Sequence, residues 1–393
     1  MSHLHNMTAF IAMCPLFYDV LIGFHVMIKQ YNKIIIGSGL YGATVAYLAK
    51  QRGERCLVLE RRKQVGGNIR DEWRDGINVH LYGAHIFHTD NELVWNFMNE
   101  FTRFTSYVHT VMAINKGRMY HLPFNMNTFN DVYATTRPNE VATILENEHR
   151  KEYYENPKNL EEKAINLIGR TLYELLVKGY TEKQWGRKAV DLPPNLITRL
   201  PVRETFDNRY FNDRYQGIPE EGYAKMIDKM FDGVEIRTGV DFLSDKEYWI
   251  SQADEIVYTG SVDELMEYKL GELGYRSLRF ETEVWKQSNY QGIAVINETG
   301  ADIPYTRSIE HKHFCYNNCS NHTIVTKEYP QVWNRGREPY YPINNDINNN
   351  LYNEYCQMMK IKYPTVKLGG RLGNYCYYDM DDVVAVAFKY FEM

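Results

Sequence analysis

The segment from Lys33 to Arg62, KIIIGSGLYGATVAYLAKQRGERCLVLERR, constrains this chain more than any other. It opens on a short apolar strand, turns through glycines into an amphipathic helix, and returns as a second apolar strand ending at Glu60. Such unbroken apolar runs suit parallel strands that are covered on both faces. Between them Gly37, Gly39 and Gly42 form G-x-G-x-x-G in the strand-to-helix setting the motif requires. The first glycine allows the tight turn, the second lets a pyrophosphate approach the backbone, and the third lets helix and strand pack. The helix start offers unpaired N–H groups and the positive end of its dipole to an anion. Glu60 stands 18 residues past Gly42, where a carboxylate can accept from both hydroxyls of a ribose. A dinucleotide-binding unit therefore begins the fold.

Two further glycine turns favour FAD over NAD. Gly66-Gly67-Asn68 extends the loop beyond the second strand, placing Gly67 and Asn68 beside the same ligand. Near the other end, VKLGGRLGNYCYYDMDDVVAVAF reads as a strand ending at Leu368, a glycine return, and a helix after the Asp379–Asp382 cluster. A cofactor reached from both ends of the chain is typical of flavoproteins. The bland alternative for GGRLG is a simple turn.

Between these ends the chain alternates. Residues 90–101 read as a helix with Asp90 as N-cap. Residues 104–122 read as two strands around the hairpin signal Asn115–Gly117, and 138–179 is helix-rich. Asp191-Leu-Pro-Pro-Asn breaks the helical pattern and begins a mobile connection. Strand patterns return at 234–240, 254–259 and across 276–330. The expected class is α/β: a discontinuous Rossmann-like FAD-binding domain (29–103, 213–263, 340–393) with a helical insertion (124–190). An antiparallel-sheet domain takes 104–123, 191–212 with the connection, and 264–339.

Composition excludes several classes. With 44% hydrophobic and 24% charged residues the chain is globular rather than disordered. A formal charge of −5 gives no field for nucleic acid, and none is expected as partner. Six sparse cysteines exclude a disulfide scaffold and fit a reducing cytoplasm. Cys315 and Cys319 stand among His311, His313 and His322, residue types that suit zinc, but their spacing matches no closed site. HKHFCYNNCSNH is read as a solvated polar loop, and no metal is expected. The apolar stretch from Ala9 to Ile28 contains Pro15, Asp19 and His25 and follows no basic residue. It fits neither a secretory signal nor a stable membrane span. Residues 1–28 are read as a leader outside the fold, with Met27 as an alternative start.

From about Lys29 onward the chain resembles the UDP-galactopyranose mutase family. Matching segments include GSGLYG, GGN at 66–68, YGAHIFHTDN at 82–91 and LPFNMNT at 122–128. KGYTEKQWG at 178–186, ITRLPVR at 197–203, PYTRSIEHKHF at 304–314 and GRLGNYCYYDMD at 370–381 are the more specific ones. The resemblance implies reversible conversion of UDP-galactopyranose to UDP-galactofuranose on reduced FAD. In that reading flavin N5 bonds covalently to the anomeric carbon while UDP leaves, and the product feeds a surface polysaccharide. A homodimer in the cytoplasm completes the expectation. The absence of a Ser–His–Asp motif accords with a nucleophile that belongs to the cofactor.

The resemblance also assigns residues. Arg199 and Arg307 match paired arginines on the diphosphate, a task suited to guanidinium forks. Tyr180 and Trp185 match the region holding uridine and bordering the sugar; five residues apart, they need a turn to converge. Tyr210, Tyr340 and Tyr377 match tyrosines whose hydroxyls reach diphosphate or sugar, and Asn297 and Asp379 match polar positions around nucleotide-sugar and flavin. The resemblance puts Arg276 and Arg371 nearer the flavin and makes His85 a flavin-side histidine, and Glu328 in KEYP is a weaker match to the polar positions that Asn297 and Asp379 take. Leu176 and Val177 depart from the aromatic residues common near uracil, His109 from Asn, and Ala84 from Pro. A flavin amine oxidase or desaturase-like oxidoreductase shares the glycine loop and is the alternative enzyme. A silent nucleotide-sugar-binding protein is the alternative outside enzymology.

Overall fold

The computed structural model describes residues 29–197, 201–315, 318 and 320–393. The expected leader, Arg199 and Cys319 lie outside the described residues. Five parallel strands form the first sheet, in the order Val366–Leu368, Ala253–Tyr258, Tyr31–Ile36, Cys56–Glu60 and Glu235–Thr238. Alternating side chains of the central strands serve two cores. Ile35 and Val58 face the core shared with helix Leu40–Gln51 and the C-terminal helix Met380–Tyr390. Ile34, Leu57 and Ile256 face the other, with Tyr355 and Met359 of helix Asp346–Lys362. Burial on both faces explains why these strands read as solid apolar runs. The five strands, at 31–60, 235–258 and 366–368, thus come from three separate stretches of chain.

The second sheet has seven strands, ordered Tyr341–Pro342, Tyr275–Trp285, Thr323–Val332, Arg307–Glu310, Val295–Glu298, Val111–Asn115 and Arg118–Leu122. All its pairs are antiparallel except Val295–Glu298 with Val111–Asn115. A parallel pair needs a long crossover, and the helical insertion lies within it. In that insertion helix Leu160–Leu172 runs on as a π-helical stretch, Tyr173–Lys178, and then helix Gly179–Trp185. The wider turn alters the i→i−4 ladder. The Leu175 carbonyl instead takes hydrogen bonds from Asn115 Nδ2 at 2.7 Å and Thr299 Oγ1 at 3.1 Å, tying the insertion to the sheet.

Several local expectations are corrected. Helix Glu92–Asn99 is capped by Asn91, whose Oδ1 accepts from Leu93 N and Val94 N, while Asp90 accepts from Arg214 N. Asn and Asp are equally good caps, so adjacent candidates cannot be ranked by type alone. The C-terminal helix starts inside the acidic cluster, at Met380, with Asp379 as N-cap, and GGRLG includes a short helical turn at Gly370–Gly373. Residues 104–110 contribute only an isolated bridge between Phe104 and Pro219 before the strand at Val111. No turn separates Tyr180 from Trp185. HKHF is a buried 3-10 turn rather than solvated loop, with His311 and Phe314 fully enclosed. Among the described residues no helix is long and apolar enough to cross a membrane, and no group of three His, Cys, Asp or Glu side chains could hold a metal.

Candidate active site

The glycine loop opens on a cavity of about 240 Å³ that residues from both chain ends line. Gly37, Gly39, Gly42, Glu60, Gly67 and Asn68 border it from one side, and Arg371, Asp379 and Met380 from the other. Gly42 is required by close approach, since a Cβ there would lie 2.1 Å from the Gly37 carbonyl oxygen. Gly39 begins helix Leu40–Gln51 without a side-chain cap, and no acidic residue occupies the first turn. That leaves the dipole end and its N–H groups to an anion. Glu60 is prearranged: one carboxylate oxygen accepts from Ser38 N (3.0 Å) and Ser38 Oγ (2.6 Å), the other from Arg62 N (2.8 Å). Arg62 reaches Asn68 Oδ1 at 2.9 Å, but its Nη1 is buried without a hydrogen-bond partner among the described residues. An uncapped helix start and an unsatisfied guanidinium N–H in one groove fit a pyrophosphate-bearing cofactor.

A second group of side chains centres on Arg307. Its Nη2 donates to Tyr180 Oη at 2.6 Å, and its strand pairs Arg307 directly with Asn297. Tyr210 contacts Asn297, and its backbone N–H is held by the His109 carbonyl at 2.8 Å. Glu328 is buried behind the arginine, Oε1 lying 3.7 Å from Arg307 Nε. That distance is too long for a hydrogen bond. Both atoms are buried and lack partners among the described residues. Burial disfavours the Arg307 cation, but Glu328, Tyr180 and Tyr341 outweigh it and hold the guanidinium above its ordinary value. Burial raises the Glu328 carboxyl, with Arg307 opposing. The site thus stores an arginine charge whose hydrogen-bonding capacity is only partly spent.

His85 joins the two regions. It borders the cofactor cavity, and burial, His80, Arg371 and Arg307 all press its imidazole toward neutrality, to about 3. Its Nδ1 lies 2.8 Å from the Gly83 carbonyl, which can only accept. The proton therefore sits on Nδ1 and leaves Nε2 as an acceptor. Behind it, His80 Nδ1 accepts from His85 N at 3.1 Å, and His80 stacks on Phe314 at 4.5 Å. Arg371 donates to the Tyr378 carbonyl and lies over the rings of Tyr341 and Tyr377, which stack at 5.3 Å.

Not every expected residue joins these groups. Arg276 directs Nε to the Gln184 carbonyl at 2.9 Å, so it caps helix Gly179–Trp185. Trp185 is half-buried against the main core, and Leu176 and Val177 are buried in it. Tyr340 borders the cofactor cavity beside Phe280, whereas its neighbour Tyr341 packs on Tyr377. Tyr341 was missed although alternation along an extended segment puts adjacent side chains on opposite faces. His109, set edge-on to Tyr210 at 5.4 Å and pushed down to about 3 by burial and then Arg307, was noted only as a departure. No short motif announces His80.

Residues 175–377 match the family model for UDP-galactopyranose mutase, and residues 35–101 match that for an NAD(P)-binding Rossmann-like domain. The chain is 37% identical over 363 residues to a probable UDP-galactopyranose mutase of Klebsiella pneumoniae, covering 91% of this chain and 93% of that one. It is 36% identical over 368 residues to dTDP-fucopyranose mutase of Escherichia coli, covering 91% and 97%. A crystal structure of reduced UDP-galactopyranose mutase shares the fold with a TM-score of 0.71 over 92% of this chain and 96% of that one, at 14% identity. With a family match across more than half its length and relatives of this closeness along nearly all of it, the chain belongs to the UDP-galactopyranose mutase family of isomerases.

Proposed function

We propose that this protein interconverts UDP-galactopyranose and UDP-galactofuranose with reduced FAD in the glycine-loop groove. The observation that carries the reading is the buried Arg307–Glu328 ion pair, whose Nε and Oε1 lack hydrogen-bond partners among the described residues beside Tyr180, Asn297 and Tyr210. Bound reduced FAD would supply the electron-rich N5 that attacks the anomeric carbon. The residues of the chain do the rest. Gly37, Gly39, Gly42, Glu60, Gly67 and Asn68 hold the adenosine diphosphate half, and Arg371 and Asp379 the flavin end. Arg307, with Arg199, neutralises the charge that grows on UDP as its bond to the sugar breaks, where a fixed donor is worth most. Tyr180, Tyr210, Tyr377 and Asn297 orient the nucleotide-sugar, and neutral His85 offers an acceptor between the two compartments. A homodimer supplying galactofuranose for a surface polysaccharide is part of the same proposal.

The near-equal identity to dTDP-fucopyranose mutase favours a second reading, a dTDP-linked sugar as substrate. One experiment separates them. Dithionite-reduced enzyme is incubated without oxygen with UDP-galactofuranose, and in parallel with dTDP-fucopyranose, and the sugar nucleotides are separated. Formation of UDP-galactopyranose at the higher kcat/KM supports the first reading, and preference for the dTDP sugar replaces it with the second. Equal turnover by oxidised enzyme without reductant, or one acceptor reduced per cycle, overturns both.

A further inference from the structure

Lys183 has no part in the functions assigned above. Its side chain leaves helix Gly179–Trp185 and enters the loop 299–306 that joins strands Val295–Glu298 and Arg307–Glu310. There Nζ lies 2.9 Å from the Glu298 carbonyl oxygen, 2.7 Å from Gly300, 3.0 Å from Ile303 and 3.0 Å from Tyr305. An ammonium only donates and carbonyls are acceptors, so all four contacts are attractive. Converging backbone carbonyls are also how proteins replace the hydration shell of potassium. Here the cation is tethered to a helix.

We propose that Lys183 is a positioning residue whose ammonium fills a four-carbonyl cation cage and thereby fixes the Tyr180–Trp185 helix against the strands presenting Asn297 and Arg307. The proposal rests on the reading of this cleft as the sugar-nucleotide site. The cage is flanked by the residues it would position. Asn297 immediately precedes Glu298, and Arg307 follows Tyr305 by two residues. Asn297 and Arg307 are direct cross-strand partners. Tyr180, almost one turn before Lys183, reaches Arg307 at 2.6 Å. The same helix face docks at two more points at four-residue intervals. A Cβ on Gly179 would lie 2.3 Å from the Thr299 carbonyl oxygen, and the Leu175 carbonyl is held by Asn115 and Thr299. Leu175, Gly179 and Lys183 thus form one seam, with the charge at its end. Burial lowers the Lys183 ammonium to about 8, while Glu298 and Asp302 from the loop side favour its charge, so it is cationic at neutral pH.

The test uses full-length Lys183→Ala with FAD bound, beside wild type, in potassium, ammonium or tetramethylammonium chloride at equal ionic strength. UDP dissociation constants are read by tryptophan fluorescence, and melting by thermal scan. Misplacing the helix should weaken UDP binding about 10–100-fold without loss of FAD. Potassium or ammonium, small enough for the cage, should restore several-fold affinity and raise melting in the variant alone; tetramethylammonium should do neither. Wild-type UDP affinity in the variant, or a defect indifferent to every cation, overturns the proposal. Should Lys183→Ala not fold, Lys183→Gln retains two N–H donors without charge; weakened UDP binding supports the cage, and wild-type affinity overturns it. If wild type itself fails to bind UDP, the substrate reading falls and melting alone decides: a potassium-dependent rise confined to Lys183→Ala supports the cage, and its absence overturns it.

Discussion

The glycine-loop groove, proposed to hold the cofactor, and the Arg307 cluster, the proposed sugar-nucleotide cleft, meet at His85 but are built in opposite ways. The groove takes Gly37, Glu60 and Asn68 from 32 consecutive residues of one strand–helix–strand unit. The cleft gathers Tyr180, Tyr210, Asn297, Arg307, Glu328 and Tyr377 from the helical insertion, a connection, the second sheet and the C-terminal stretch. Backbone geometry makes the groove, since its glycines are defined by turns and close approaches. Side-chain placement makes the cleft, and placement depends on docking between distant segments. Substitutions should therefore separate two failures: lost cofactor with the groove, and lost turnover with cofactor retained in the cleft.

The largest expected effect tests the cleft. Arg307→Ala and Arg199→Ala should each lower kcat by about 10²–10³, as removal of a single charge-stabilising donor does elsewhere, while flavin content by absorbance stays near one per chain. Flavin-free Arg307→Ala protein would break the division between the two regions. Near-wild-type turnover in both variants would remove the arginines from the diphosphate.

Acid should weaken both regions together. Burial lowers His80, behind the His85 turn, and His109, beside Arg307, to about 3 each. Unfolded histidine titrates near ~6.5. Between those values the unfolded chain binds more protons, so this stabilisation is full above ~6.5 and is lost as pH falls toward 3. Each such proton contributes a limiting slope of about 1.4 kcal/mol per pH unit, and His85 and His311, likewise lowered by burial, add to it. Urea midpoints at pH 7, 6 and 5 measure it. His109→Asn should remove its own share, about 1.4 kcal/mol per pH unit; an unchanged slope would show that His109 is protonated in the fold.

A third substitution tests the groove. Gly42→Val puts a branched side chain where a Cβ already meets the Gly37 carbonyl oxygen at 2.1 Å. Overpacking of this kind costs about 1–3 kcal/mol, and the distorted loop should release FAD. Full flavin occupancy at wild-type melting temperature would mean that the turn adapts and that the groove is less rigid than its geometry implies.

The same contrast explains what could be read from the chain. Gly37, Gly39, Gly42 and Glu60 form a local pattern with a local physical reason, so the first two strands of the first sheet and the glycine-loop wall of the groove were legible without any partner segment. Strand patterning also marked the hairpin around Asn115–Gly117 and read 276–330 as strand-like, without separating Tyr275–Trp285 from Thr323–Val332. Arg307 and Tyr180 became readable only through resemblance, because nothing within PYTRS or KGYTEKQW shows that they touch. Arg276 was placed with the cofactor or substrate, yet its guanidinium is committed to the end of helix Gly179–Trp185. That helix end lies 92 residues earlier in sequence. The parallel pairing of Val295–Glu298 with Val111–Asn115 is hidden for the same reason. Local sequence encodes the groove, and tertiary docking completes the cleft.

The smallest effect is the sharpest probe of the boundary, because it uses adjacent residues. Tyr340 borders the cofactor cavity near Arg62, Tyr82 and Glu338, and Tyr341 stacks on Tyr377 within reach of Arg307 and Arg371. Removing one hydroxyl in each keeps the ring packing and changes only its hydrogen-bonding, worth about 0.5–1.5 kcal/mol. Tyr340→Phe should therefore weaken FAD binding a few-fold, read by fluorescence on reconstituting apoprotein, with KM for UDP-galactose unchanged. Tyr341→Phe should do the reverse, lowering kcat/KM by up to about tenfold while FAD affinity holds. Equal effects of both substitutions on both readouts would dissolve the boundary at this strand. An exchange of the two phenotypes would return Tyr340 to the sugar side, as resemblance first assigned it, and put Tyr341 against the cofactor.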